Sequence, residues 1–178
     1  LNKFFVLLIE VPMTLSVLMS VYHGTNSREL KVCLDSLRAQ TLTPSEIIIV
    51  KDGPVSRSVG ECIGQYSKTL PIKILSYPLN RGLGPALHDG LLMCSHELVA
   101  RVDTDDFSAP TRFSVQFEFL ESHPEISVVG SLMSESFQID GQHYTVLRDV
   151  PIASCEIVVA SKKRNPLNHP TVMFRKNT

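Results

Sequence analysis

The chain has no long apolar run, no surplus of charge of either sign and no cysteines at paired spacing, and each absence removes a class of function. Lys and Arg number 17 against 18 Asp and Glu, a net charge of −1. No basic field points to nucleic acid, and no acidic tail points to disorder. Cys33, Cys62, Cys94 and Cys155 form no CxxC pair and have no histidine at zinc-finger spacing. That pattern suggests neither a dithiol redox motif nor a structural zinc site and fits reduced thiols in the cytoplasm. Near the amino terminus Lys3 precedes the apolar stretch Phe4 to Ile9, which Glu10 and Pro12 interrupt well short of the roughly eighteen residues a span requires. No small-residue cleavage pattern follows. The reading is therefore no membrane span, an extension over residues 1–12 and one domain over 13–178, long enough to bury a core without disulfides or metal.

What is present is a repeating alternation. Leu15 to Val21 (LSVLMSV) is apolar and β-branched and ends in Tyr22, His23 and Gly24, as a buried strand followed by a loop does. Ser27 can cap a helix in which Leu30, Cys33, Leu34 and Leu37 recur at helical spacing until Thr41 to Pro44 stop it. Ile47 to Val50 is a second apolar run, closed by the turn residues Lys51, Asp52, Gly53 and Pro54. A helix over Ser56 to Ser67, a strand over Ile72 to Leu75, a helix over Leu83 to Cys94 and a strand over Leu98 to Val102 continue the series. Pro110 can open a helix carrying Phe113, Phe117 and Leu120 on one face. Beyond it come a strand at Ile126 to Val129, a hairpin over Phe137 to Val146 turning at Asp140 and Gly141, a helix over Ala153 to Lys162 and a strand at Thr171 to Phe174. Strands apolar throughout and separated by helices predict an α/β fold, with a mostly parallel central sheet covered by helices on both faces. Ligands in such sheets bind beyond the carboxyl ends of the strands, here Tyr22 to Asn26, Asp52 to Pro54 and Asp103 to Asp106.

Three groups of residues in those loops carry chemistry. Asp103, Asp105 and Asp106 put three carboxylates within four residues directly after a buried strand, where they repel one another unless a cation joins them. A hard ion such as Mg²⁺ or Mn²⁺, held by one or two aspartates plus water and phosphate, satisfies that arrangement, and capping of the next turn and helix is the structural alternative. Asp52 can either build its turn or accept a hydrogen bond from a ligand such as a nucleobase imide. Asn80, Arg81, Gly82, Leu83 and Gly84 place a cation and two glycines at a helix entrance, where free amides and the helix dipole favour phosphate, although glycine there also serves packing and turns. Their spacing is neither that of a P-loop nor GxGxxG.

Taken together from Leu15 onward, these segments resemble the family 2 glycosyltransferases, which have the GT-A nucleotide-binding fold with its Rossmann-like half. LSVLMSVYHG resembles the family's opening strand and nucleotide loop, LRAQTLTPSEIIIVKDG its first helix and second strand, and LNRGLGPALHDGL its glycine-entered helix. ARVDTDDFSAPTRFSVQFEFLESHPEISVVGS resembles the DxD strand, loop and helix, and NPLNHPTVMFRK a downstream segment of bacterial polysaccharide-assembly members. The resemblance implies that Ser20 and Tyr22 line the base pocket, that Asp52 accepts from the base and that Arg81 lies near base or phosphates. It also implies that Asp103 contacts the ribose, that Asp105 ligates Mg²⁺ or Mn²⁺ bridging the diphosphate, that Asp106 supports that site or faces the donor sugar, and that His169 approaches the donor from the far side.

The implied activity is inverting, metal-dependent transfer from a nucleoside diphosphate sugar, UDP-linked, to a saccharide or lipid-linked acceptor in cell-surface polysaccharide synthesis, in the cytoplasm or at the inner face of the membrane. Two departures bear on the pocket: Lys51 stands where many members have an acidic residue, and Asp89 where Asn is frequent. The family's general base, a carboxylate, is expected beyond Thr178, and a nucleotide-sugar-binding module without its own activity is the competing expectation. A nucleotidyltransferase would need a glycine-rich, basic loop after the first strand, which Tyr22, His23, Gly24 and Thr25 do not supply.

Overall fold

The computed structural model describes residues 13–177, so the extension over residues 1–12 and the terminal Thr178 lie outside the described residues. Four strands, β1 (Leu15–Val21), β2 (Glu46–Lys51), β3 (Ile72–Ser76) and β4 (Leu98–Arg101), pair in parallel. Between them run α1 (Ser27–Arg38), α2 (Arg57–Tyr66) and α3 (Leu83–Met93). The acidic loop leads into α4 (Arg112–Ser122), followed by the short β5 (Val128–Val129), a separate hairpin of β6 (Met133–Ile139) and β7 (Gln142–Arg148), α5 (Ser154–Ser161), a 3-10 turn at His169–Thr171 and β8 (Met173–Arg175). The main sheet runs β3-β2-β1-β4-β8-β5, with β8 antiparallel to both of its neighbours. The expected mostly parallel α/β sheet is present.

Strand order explains where the helices lie. The chain steps outward from β1 to β2 to β3 and then returns to the other side of β1 as β4. Right-handed crossovers therefore place α1 and α2 on one face and α3 on the opposite one. The two cores follow that division. Val17, Met19, Ile47 and Ile49 pack with Leu30, Leu34, Val59, Ile63 and, from α4, Phe113 and Leu120. Leu18, Ile48, Val50 and Val99 pack with Ala86 of α3. Because β1 and β2 are buried on both faces, they read as unbroken apolar runs, and each fully buried Leu or Ile contributes roughly 1.5–3 kcal/mol.

Local chemistry differs from the sequence reading in a few places. Asn26, not Ser27, caps α1, its side-chain oxygen accepting the Arg28 N–H at 2.9 Å. The helix expected from Pro110 begins two residues later, at Arg112. The Asp140-Gly141 turn is confirmed, both residues having positive φ (50° and 79°), but the paired hairpin is longer than expected because it continues to Met133 and Arg148.

Candidate functional site

Reversal of strand order between β1 and β4 leaves a crevice at their carboxyl ends, and the candidate residues gather there. A cavity of about 450 Å³ is lined by Ser20, Tyr22 and Asn26 after β1, by Asp52 after β2, by Asn80, Gly82 and Leu83 before α3, and by Asp103 and Asp105 after β4. The three polar loops expected from the sequence thus form one wall, joined by the glycine-rich helix entrance.

Asp52 is buried, and its carboxylate spans that entrance: one oxygen accepts the Arg81 N–H at 2.8 Å and the other the Gly82 N–H at 2.9 Å. Asn80 Nδ2 donates back to the Asp52 carbonyl at 3.1 Å. Gly53 is required beneath this loop, because its φ is 86° and a Cβ there would lie 2.7 Å from the Asn80 nitrogen. Arg81 itself does not line the cavity. Its guanidinium lies 4.5 Å over the Tyr77 ring and pairs with Asp89 at 2.8 Å, so its link to the site runs through its backbone. Ser20 donates to the Val50 carbonyl at 3.3 Å, and the Tyr22 N–H bonds Thr25 Oγ1 at 2.9 Å, shaping the loop after β1.

Across the cavity, carboxylate oxygens of Asp103, Asp105 and Asp106 lie within 4.8 Å of one another. That approaches the span of about 4 Å available across one hard cation with bonds of about 2.1 Å. Burial, followed by the neighbouring charges of Asp103 and Asp105, pushes Asp106 up to about 6. Capping accounts for none of these side chains: α4 has no side-chain cap, and the turn between Asp103 and Asp106 closes through backbone at 3.4 Å. The acidic trio therefore fits a divalent cation. A second cavity, about 340 Å³, is lined by all three aspartates together with His169, Asn168, Asn165 and Arg148. Burial and the nearby Arg101 lower the pKa of His169 from its ordinary value, favouring neutral imidazole.

The acidic loop is fastened from below by residues that the sequence reading did not single out. Gln40, buried after α1, donates to the carbonyls of Ser108 and Ala109 and accepts the Phe113 N–H. Ser36 accepts the Ser108 N–H, and the Cys33 thiol donates to the Asp103 carbonyl at 3.3 Å. Burial, reinforced by the three aspartates, pushes the Cys33 thiol up to about 12, so it remains protonated as that bond needs. Arg101 pairs with Asp103. Its signal was visible, a cation ending a strand otherwise apolar (LVAR) immediately before the aspartates. Gln40 had no comparable signal.

The model of the family "Glycosyl transferase family 2" matches residues 16–173. The amylovoran biosynthesis glycosyltransferase AmsE of Erwinia amylovora is 41% identical over 162 residues, covering 91% of this chain and 60% of its own length. A UDP-Gal:alpha-D-GlcNAc-diphosphoundecaprenol beta-1,3-galactosyltransferase of Escherichia coli is 34% identical over 161 residues, covering 90% of this chain and 58% of its own. The 1–349 fragment of S. aureus TarS in complex with UDP superposes with a TM-score of 0.66 at 20% identity, over 92% of this chain and 47% of that one. At that identity the likeness is one of fold. The chain spans 58 to 61% of the length of these relatives and of an uncharacterized glycosyltransferase of Haemophilus influenzae.

Proposed function

The chain belongs to glycosyl transferase family 2, and from that premise we propose that it binds a nucleoside diphosphate sugar, UDP-linked, and serves inverting transfer of the sugar to a saccharide or lipid-linked acceptor in cell-surface polysaccharide assembly. The observation that carries this reading is the position of Asp103 and Asp105 on the shared wall of two cavities, with Asp106 beside them lining the second. One cavity, with Ser20, Tyr22 and Asp52, suits base and ribose. The other, with His169 and two asparagines, suits the polar sugar beyond the diphosphate. The relatives' roles in amylovoran biosynthesis and in galactose transfer to a lipid diphosphate, and the UDP held by TarS, support the same donor and acceptor classes.

Each residue has a role within that proposal. Asp52 fixes the α3 entrance by taking up the Arg81 and Gly82 amides, and its remaining lone pairs accept from the base. Asp103 accepts from the ribose hydroxyls, and Asp106 supports Asp105. Asp105, the exposed member of the trio, ligates Mg²⁺ or Mn²⁺. A divalent ion held there supplies Lewis-acid stabilisation of the leaving diphosphate. His169, exposed and lining the second cavity, faces the sugar. No helix among the described residues is long and apolar enough to cross a membrane. In this proposal the protein works on the cytoplasmic side, meeting the membrane through a lipid-linked acceptor.

Calorimetric titration with UDP and then GDP, each with and without Mn²⁺, tests the proposal. Binding of UDP that requires Mn²⁺ and exceeds that of GDP is the expected result. Absence of binding by either nucleotide under both conditions would overturn it.

A further inference from the structure

Arg101 is 3% exposed, a guanidinium set in the sheet at the point where β4 delivers the chain to the acidic trio. Nη2 pairs with Oδ1 of Asp103, whereas Nε and Nη1 are buried without a hydrogen-bond partner among the described residues. Buried donors in proteins are nearly always satisfied, so two orphaned N–H groups on one charged side chain demand an explanation. Arg112, half-buried close by on α4, shows the contrast: it donates to Gln116, Ser108 and the carbonyls of Arg101 and Val172. Arg112 belongs to a self-contained structural network. Arg101 does not, and among the described residues Asp103 is the one carboxylate within ion-pair distance of it.

This pairing constrains what Asp103 can do. An Asp103 oxygen already lies within 4.8 Å of those of Asp105 and Asp106, but drawing it the rest of the way onto a shared cation pulls the carboxylate off Arg101 and strands a buried guanidinium with none of its donors satisfied, an expensive arrangement. The positive charge also opposes any cation placed among the three aspartates. We propose that Arg101 is a positioning residue that locks Asp103 against the end of β4, withholding it from the cation and presenting its free oxygen to the donor's ribose, so that the ion is left to Asp105 with Asp106 supporting it. The ribose half of this inference rests on the proposed donor site. The cation half does not.

The test is Arg101→Met, which keeps an apolar stem and removes charge and fork, with Arg101→Lys beside it. Mn²⁺ alone is titrated against each protein, free ion being counted by its electron paramagnetic resonance signal. R101M is expected to bind Mn²⁺ on the order of tenfold more tightly than the parent, because Asp103 is released and a repelling charge is lost. R101K, keeping the charge without the fork, shifts the same way by a smaller factor. A residue with a merely structural role would lose Mn²⁺ affinity along with stability, so unchanged or weaker binding in R101M overturns the proposal. Should R101M fail to fold, R101K decides by the same criterion. In a second arm, the preference for UDP over 2′-deoxy-UDP in Mn²⁺ falls toward unity in both variants, and full retention of that preference overturns the ribose half. Tighter Mn²⁺ binding in R101M from a parent that binds no nucleotide would sink the proposed function and leave the cation half standing.

Discussion

The buried carboxylate of Asp52 accepts the backbone N–H of Gly82 at 2.9 Å, tying the end of β2 to the entrance of α3 across 30 positions of sequence. With the companion bond from the Arg81 N–H, one side chain presets the loop that walls the cavity at the strand ends. Asp52→Ala leaves two amides without their acceptor. We expect a loss of roughly 2–4 kcal/mol in denaturant unfolding, since hydrogen bonds to charged groups contribute about 1.5–3 kcal/mol each. UDP affinity should fall with it, and a variant that keeps parental stability would show that the loop holds itself.

Asp105 is exposed and engaged in no ion pair with the described residues. Asp105→Ala should leave stability within about 0.5 kcal/mol, as for other surface changes. Nucleotide binding in Mn²⁺ should drop at least roughly tenfold, toward the metal-free value, if Asp105 is a metal ligand as proposed. Calorimetry with and without Mn²⁺ separates the two. Undiminished metal-dependent affinity would remove Asp105 from the ligand set.

Glu46 opens β2 nearly fully buried, receiving Ser16 Oγ at 2.6 Å, the Ser95 N–H and Lys73 Nζ at 2.7 Å. Burial is the largest influence and opposes ionisation, but the donors of Lys73, Ser16 and Ser95 together outweigh it and hold the carboxyl at about 2. The folded value lies below the ordinary one, so the unfolded chain binds this proton first as pH falls. The stabilisation is complete above about pH 4.5 and is lost between there and about pH 2, worth about 3 kcal/mol at 1.36 kcal/mol per unit. Glu46→Gln should flatten that acid limb in urea unfolding followed from pH 5 to pH 2, and an unchanged slope would assign it to other groups.

Gly90 lets α3 lie directly on the sheet: a Cβ there would sit 2.5 Å from Leu18 Cδ1 and 2.6 Å from Val50 Cγ2. Helix propensity alone favours alanine by about 0.8–1 kcal/mol, but overpacking costs about 1–3 kcal/mol. Gly90→Ala should therefore destabilise by up to about 2 kcal/mol, a melting temperature lower by a few degrees. A stabilised variant would mean that Leu18 and Val50 move aside freely.

Much of this was legible along the chain. β1, β2 and β4 announce themselves as apolar runs because both their faces are covered, and the loops after them carry Tyr22, Asp52 and the aspartates because strand ends in such sheets face solvent and ligand. Element edges were less legible. Asn26 and Ser27 are both good caps, and only the extended backbone of Asn26 decides between them. Likewise Arg81 looked like a phosphate contact beside two glycines, but Tyr77 and Asp89, brought alongside by β3 and α3, claim its guanidinium.

What the sequence by itself determined is the alternation of strand and helix, the family resemblance and the positions of the acidic residues, since periodicity, turn chemistry and motif spacing are properties of near neighbours in the chain. Tertiary structure alone decided that Asp52 serves the backbone of residues 81 and 82, that Gln40 and Cys33 carry the acidic loop, and that Arg101 answers to Asp103 with two donors left over. Burial strips water from a polar group and leaves only the partners the fold delivers, and for Asp52, Gln40 and Cys33 those partners lie tens of residues away. For Arg101 the partner is two residues on, and burial alone turned that proximity into a constraint.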